Sequence, residues 1–558
     1  MSDVIIIGAG PAGMLSALLL AQQGLSSVII ERRSGINPVP RAHAVNGKTI
    51  EIGRSVGVDP QEIYDAALPV SLGGKVQFWS TLAGAHLGSL DYERQDDGVE
   101  KIVSHRLANI SQPRYEAILE SHVLANRRID LRRGITYKGV EQNDKNVTVH
   151  VEMAQGDTDT LKADYLLAAD GAASHVREDL GIAMIGPDAI QPFMTLHFHA
   201  DLSHLTRTHP GVLHWLMAPT GGGTLISYDD GDNWVLMHSC PPDMHDLAHF
   251  DNARCHTLIR DALGSQDVAF TLHNVSPWVM TSQVAERYRQ GRVFLVGDSA
   301  HRFPPAGGLG LNTGIGDAQN IAWKIAAVKN GAAPDSLLDS YEAERKPAAE
   351  INSAQSLENA MKIIELVMYL LGPDPENMMT HFDDICAKAS ADGEALPELT
   401  AAIEAQKLHF DSLRLQYGYS YGGHDDTGRA VNDYQPSYRR GDAVPHLEIE
   451  QVGQNNSLTQ LMPANCFTLL LSATAMRPEL DNVSGASAVS GVTILQDEDA
   501  FWSVGESLSV RFAADDENLA GLLVRPDGHI AARFTHEGLS AQAVTDCLKT
   551  ALAYGLAT

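Results

Sequence analysis

The chain has 558 residues, too many for one core at roughly 100–200 residues per domain and enough to bury a large cofactor. Its 70 acidic against 41 basic side chains give a formal net charge of −29, which repels anionic membrane over most of the surface and argues against a nucleic-acid partner. The five cysteines, Cys240, Cys255, Cys386, Cys466 and Cys547, have neither CxxC nor metal-ligand spacing and read as buried thiols of a reducing compartment.

Met1, Ser2 and Asp3 lead straight into "VIIIGAG" without a basic region or cleavage site, so the N-terminus reads as a strand and not a signal peptide. The longest other apolar stretch, "IIELVMYLLG", is about half of the ~20 residues that span a bilayer. A soluble, cytoplasmic protein is expected. "DVIIIGAGPAGMLSALLLAQQGLSSVIIERR" then reads as strand, glycine turn, helix and strand, the βαβ unit of a doubly wound nucleotide-binding fold. Gly8, Gly10 and Gly13 form a GxGxxG that permits a tight turn and aims helix N-terminal amides at a pyrophosphate. Glu31, with Arg32 beside it, ends the second strand about 20 residues on, where a carboxylate accepts from a ribose diol.

Helical and strand segments alternate as far as "ADYLLAADGAASHVREDLGI", which ends a strand at Asp170 and Gly171. From Pro187 to Ser276 short alternating runs such as "MTLHFHADL" and "GTLISYDDGDNWVLMHS" predict an inserted antiparallel sheet. "GRVFLVGDSAHRFPP" restores the buried-strand pattern of the nucleotide unit, and helices are expected from Asp317 to about Leu413. The polar stretch "YGGHDDTGRAVNDYQPSYRRGDAVPH" places a boundary near Ser437, followed by a small α/β domain. The expected units are 1–186 with 277–345, 187–276, 346–436 and 437–558.

These motifs resemble the group A FAD-dependent aromatic hydroxylases, the family of p-hydroxybenzoate hydroxylase and phenol hydroxylase, and most closely its bacterial chlorophenol and hydroxybiphenyl monooxygenases. The resemblance rests on the GxGxxG with Glu31, the "DG" at Asp170, and the "GD" at Asp298 followed by PPxGGxGLN, in that order over roughly residues 3–347. It implies an α/β fold: a Rossmann-like FAD-binding domain, an inserted antiparallel-sheet substrate domain, a helical segment and a C-terminal thioredoxin-like domain. The last domain lacks a redox CxxC, so disulfide exchange is not expected of it and it reads as a packing or dimer-supporting module; a homodimer is expected. It further implies that NADH or NADPH, bound transiently over the FAD domain, reduces FAD, and that dioxygen is captured as a C4a-hydroperoxide and passed to a phenolic substrate, ortho to its hydroxyl. A flavin oxidase or reductase without oxygen insertion is the alternative on the same scaffold.

By position, the resemblance implies that Asp298 binds the ribityl chain, Gln112 the ribityl or phosphate region and Arg41 the vicinity of the pyrophosphate, while Gly307, Gly308, Gly310, Leu311 and Asn312 lie beside the isoalloxazine. Asp170 is linked in the family to both FAD and nicotinamide, and a purely structural DG turn is an equal reading. An electrophilic oxygen reacts faster with a phenolate than with a phenol, and His43 in "NPVPRAHAVNGKT" is the candidate catalytic base. With phenol near pKa ~10 and imidazole near ~6.5, full proton transfer is uphill by roughly 5 kcal/mol in water. His301, three places after Asp298, reads as a packing residue. His197 and His199 alternate onto one strand face, and without a third ligand no metal is expected. His214, Trp215 and Tyr228 belong to the same sheet.

Overall fold

Val4–Ile7 is apolar on both faces, the pattern of a strand covered by helices on each side. In the computed structural model, Ser2–Ile7 is the centre of a parallel sheet ordered Arg289–Gln290, Val293–Leu295, Thr158–Ala168, Ser2–Ile7, Ser27–Glu31, Ile129–Arg133. The strands from Val293–Leu295 to Ile129–Arg133 run parallel, while Arg289–Gln290 at one end and the hairpin of Ile135–Gln142 and Val147–Met153, which joins Thr158–Ala168, pair antiparallel. The structure describes residues 2–556 apart from 97, 230, 391–395, 423–427, 452–453, 481–491 and 497–506. Parts of the polar linker and of "SGVTILQDED" therefore lie outside the described residues.

Register decides what this sheet positions. Ile7 pairs with both Ile30 and Ala168, and Ala168 with Leu295, so these strands finish level with one another. The turns that follow, Gly8–Gly10, Asp170–Gly171 and Gly297–Asp298, therefore share the carboxyl edge, where open α/β sheets bind ligands. Close approach holds the helices there. A Cβ on Gly314, in helix Leu309–Lys329, would come within 2.8 Å of the Gly297 Cα.

A second sheet of seven strands is ordered Thr271–Met280, Gln191–His199, Asn233–Ser239, Gly223–Tyr228, Leu213–Leu216, Lys75–Trp79, His86–Asp91. Two of its strands come from well before Pro187, and one pair, Leu213–Leu216 with Lys75–Trp79, is parallel. The expectation of a purely antiparallel sheet is corrected there. Strands recruited from separate stretches of chain need not alternate in direction, and turn signals between local strands cannot report such a pairing.

The C-terminal unit has a four-stranded sheet, Val492–Gln496, Phe467–Leu471, Leu519–Val524 and Ile530–Thr535, with helices Leu508–Asp515 and Ala541–Tyr554. It is tied to the first unit by buried charge. Arg525 donates to both oxygens of Glu344 at 2.7 and 2.9 Å, and Lys324 donates to the same carboxylate at 2.7 Å. Asp527, bonded by Arg525 Nε at 3.0 Å, accepts from Trp323 at 3.2 Å. Two cations and two carboxylates close this group with no charge left over, the condition for burying ions at tolerable cost. All five cysteines are free thiols, but only Cys240 and Cys255 are buried; Cys386 and Cys547, within helices Met378–Ser390 and Ala541–Tyr554, and Cys466, just before strand Phe467–Leu471, are half-buried.

Candidate active site

The glycine turn is shaped by contact. Gly8 sits at φ +104°, and a Cβ on it would be 2.3 Å from the Ala169 carbonyl oxygen; one on Gly13 would be 2.1 Å from that of Gly8. A Cβ on Gly10 would meet nothing within 4 Å, so the space over the N-terminus of helix Pro11–Gln22 is open. That end has no side-chain cap and no acid in its first turn, leaving its amides and positive dipole unclaimed. Glu31 accepts from the Ala9 amide at 3.0 Å and the Arg33 amide at 2.9 Å, which fixes its carboxylate beside the turn. Arg32 is exposed at the end of the strand.

Helix Leu309–Lys329 presents the same chemistry from the other side. Gly308, at φ +63°, leads into it with no side-chain cap, and a Cβ on Gly310 would again meet open space. Asn312 is fully engaged within the protein: Oδ1 accepts from the Asn46 amide at 3.0 Å and the Thr49 hydroxyl at 2.8 Å, while Nδ2 donates to the Ala44 and Gly308 carbonyls at 2.9 and 2.8 Å. Its side chain staples the 43–49 segment to the glycine loop, so only its backbone is open to a ligand. Half-buried Leu311 packs against the main core.

Asp298 is exposed at the sheet edge, yet the surrounding protein raises its carboxyl above the ordinary range, opposed by the charges of His301, Arg41 and Arg302. Arg41 is exposed and close enough to act on both Asp298 and Glu116. Gln112 opens helix Gln112–Ala125; its amide donates to Ala42 at 2.9 Å and its Nε2 to Glu116 at 2.7 Å. Asp170 differs. Oδ1 accepts from Ser174 at 2.6 Å and Oδ2 from the Val176 amide at 3.2 Å, so its carboxylate closes its own turn. His301 is fully buried with Nε2 bonded to Asp317 at 2.9 Å, in the packing role its spacing suggested.

His43 lies just before the short strand Ala44–Val45, which pairs with Ala108–Asn109. Its Nδ1 is 3.1 Å from Asn109 Oδ1. Asn109 Nδ2 donates to the Gly73 carbonyl at 3.1 Å, which orients the amide so that Oδ1 can only accept. The imidazole proton is therefore on Nδ1, and Nε2 keeps its lone pair. The ring packs against Tyr92, 5.6 Å away between centroids, and edge-on to Tyr228, 6.0 Å away. Burial pushes the His43 pKa down to about 4, against the opposing effect of its hydrogen bond to Asn109, so the ring is neutral at neutral pH.

The neighbours of Tyr92 clamp a distant segment. Glu93, at φ +51°, accepts from the Ser412 amide and hydroxyl at 3.1 and 2.8 Å and from Gln416 at 3.0 Å, and Arg94 holds Asp411 through two nitrogens. Burial raises the Glu93 carboxyl from 4.5 to about 7. A carboxyl raised on folding loses stabilisation as pH climbs from its unfolded to its folded value, here from about 4.5 through about 7. The full loss is about 3 kcal/mol. Glu93→Gln is expected to flatten the decline in thermal midpoint between pH 5 and 8. The same slope in both proteins would assign the decline to other groups.

Sequence reasoning missed Asn109, Tyr92, Glu93 and the 409–412 segment, none of which falls in a recognisable motif. Of the sheet residues it named, Tyr228 reaches His43. His214 is core: Nδ1 accepts from Trp79 at 3.2 Å and Nε2 bonds the Gly211 carbonyl at 3.0 Å. His197 is bonded to Asn233 at 2.6 Å. His197 and His199 lie 5.9 Å apart between ring centroids.

The open glycine turns, Glu31 and Asp298 on one edge suit a flavin dinucleotide: two helix N-termini for anionic groups and two carboxylates for hydroxyls. Comparison with known proteins agrees. Residues 1–356 match the FAD binding domain family and residues 437–554 the aromatic-ring hydroxylase C-terminal family. The chain is 32% identical to aklavinone 12-hydroxylase RdmE of Streptomyces purpurascens, over 95% of each chain. It is 28% identical to 2,4-dichlorophenol 6-monooxygenase of Cupriavidus pinatubonensis, over 96% of this chain and 93% of that one. The structure of the flavin-dependent monooxygenase PieE in complex with FAD and substrate superposes with a TM-score of 0.87 at 28% identity, covering 99% of both chains. The chain belongs to the FAD-dependent aromatic-ring hydroxylases and is a flavoprotein monooxygenase that uses NAD(P)H and dioxygen.

Proposed function

We propose that the protein hydroxylates a phenolic ring beside its existing hydroxyl, with His43 Nε2 accepting that hydroxyl's proton. The observation that carries this is the tautomer: Asn109 holds the Nδ1 proton, leaving the Nε2 lone pair free on a ring that packs against Tyr92 and Tyr228. The relatives' names support the substrate class, since one acts on a dichlorophenol at the carbon adjacent to its hydroxyl. Bound FAD supplies two-electron exchange with the nicotinamide and activation of dioxygen. Two electrons come from NADH or NADPH and two from the ring carbon; one oxygen atom enters the ring and the other leaves as water.

The protein's own part is holding and proton handling. Gly8, Gly10, Gly13 and Glu31 cradle the adenosine diphosphate half, with Arg32 at the strand end, and Arg41, Gln112 and Asp298 the phosphate and ribityl region. The backbone from Gly307 to Asn312 would hold the isoalloxazine, where its amides would stabilise negative charge. Asp170 acts by shaping its turn. We read the parallel-sheet unit as the FAD-binding domain and the seven-stranded sheet as the substrate domain, with strands 75–91 assigned to the latter.

With His43 near 4, a phenol near ~10 gives up its proton only about 8 kcal/mol uphill when the protein alone sets the histidine's basicity. His43 therefore accepts a hydrogen bond in the ground state, and the proton moves as positive character develops on the ring. Incubating holoenzyme with NADPH, a phenol and labelled dioxygen should place one labelled atom in the product. Peroxide with no labelled phenol would instead make the protein an oxidase.

A further inference from the structure

The two parts of the site assigned above to the riboflavin half of FAD stand on different elements. Asp298 follows Gly297 at the sheet edge, while the loop from Gly307 to Asn312 opens helix Leu309–Lys329. One buried side chain ties them together. Asp317, about two turns into that helix, accepts through Oδ2 from the Gly297 amide at 3.1 Å and from His301 Nε2 at 2.9 Å, on either side of Asp298 in the chain. Its other oxygen accepts from Arg345 Nε at 2.8 Å.

Arg345 comes from a third element, helix Ser340–Leu371, and all three of its guanidinium nitrogens donate. Nη2 bonds the carbonyl of Thr313, the residue after Asn312, at 3.0 Å, and Nη1 the Tyr421 hydroxyl at 3.2 Å. The guanidinium lies close against the helix backbone, since a Cβ on Gly316 would be 2.8 Å from Nη2 and 3.1 Å from Cζ. Asp317 is fully buried and Arg345 nearly so. Burial opposes the charge on Asp317, but Arg345 and His301 hold its carboxyl below the ordinary range, so it stays ionised and accepts at each bond. A buried ion pair is a weak source of stability, because well-packed apolar side chains of the same volume often do as well. What it adds is direction, since each hydrogen bond has a preferred line.

We propose that Asp317 and Arg345 are positioning residues for the flavin, aligning the Asp298 turn with the Gly307–Asn312 loop so that the riboflavin half of FAD meets both at once. This rests on the assignment of those two segments to that half, and of Gly8, Gly10, Gly13 and Glu31 to the adenosine diphosphate half. None of the five bonds of the pair reaches the Gly8–Gly13 turn or Glu31. A disturbed pair should therefore weaken FAD and spare ADP, which occupies the other half alone.

The test is equilibrium titration of the full-length apoenzyme with FAD, followed by flavin fluorescence, and with ADP, followed by calorimetry. Arg345→Lys keeps a charge opposite Asp317 but cannot serve three acceptors from one planar fork. Gly316→Ala keeps both charges, suits a helix interior better than glycine, and displaces the guanidinium. Each should raise the Kd for FAD about tenfold or more while changing that for ADP less than about twofold. Equal losses for both ligands would make the pair general scaffold and overturn the proposal, as would unchanged binding of both. Should Arg345→Lys fail to fold, Gly316→Ala alone decides. Gly10→Val, titrated alongside, should weaken both ligands together. Wild-type binding of both by that variant would fault the assignment of the two halves, a failure distinct from equal losses in the Arg345 and Gly316 variants.

Discussion

His43→Ala leaves FAD bound and lowers the rate of hydroxylation by about 10²–10³-fold, the range in which a positioned proton acceptor contributes, while more NADPH is diverted to hydrogen peroxide. The cofactor stays because the imidazole makes no bond to the glycine turns; its one side-chain hydrogen bond among the described residues is to Asn109. The pH profile adds a test that loss of activity alone cannot provide. A base whose pKa is about 4 is already deprotonated throughout the neutral range, so the His43-dependent rate is flat from pH 6 to 8 and falls only on approach to 4. A wild-type acid limb near pH 6.5 that vanishes in His43→Ala would mean that FAD and substrate restore an ordinary imidazole. An unchanged rate and unchanged coupling in His43→Ala would return the residue to loop packing.

Gly10→Val and Gly310→Val separate folding from cofactor binding. Neither glycine has a positive φ, and a Cβ at either meets nothing within 4 Å, so each variant should fold with a melting point close to that of the apoprotein. The added methyls stand in the space over two uncapped helix N-termini. Loss of backbone approach to an anionic group there should weaken FAD binding by at least about 100-fold, or roughly 3 kcal/mol, measured by flavin fluorescence during reconstitution. Gly8→Ala serves as the contrast, because its Cβ would meet the Ala169 carbonyl at 2.3 Å and should disturb the fold itself. FAD binding at wild-type strength in both valine variants would place the dinucleotide elsewhere.

The cofactor turns are legible in the amino-acid sequence because each is local. A glycine turn between a buried strand and a helix, a carboxylate at the end of the next strand, and "GD" followed by PPxGGxGLN need only short-range geometry to be recognised, and parallel register then brings their ends level. Asn312 illustrates the limit. Its place in the motif and its bond to Gly308 are local, but its occupation by Asn46, Thr49 and Ala44 depends on how a segment 263–268 residues away packs.

The sequence by itself determined the nucleotide-binding fold class, through a glycine turn and a strand-end carboxylate at fixed spacing, while the flavin chemistry and His43 as the residue to question came from the resemblance that its ordered motifs carry. Only the tertiary structure decided what His43 can do. The proton on Nδ1 depends on Asn109, 66 residues away, and on Gly73, which orients that amide; the depressed pKa depends on burial in the assembled site. Tyr92 and Glu93 gain their meaning the same way, through contacts with side chains from separate stretches of chain. Hydrogen-bond direction and desolvation are properties of such an assembled environment, and a linear pattern of residues does not encode them.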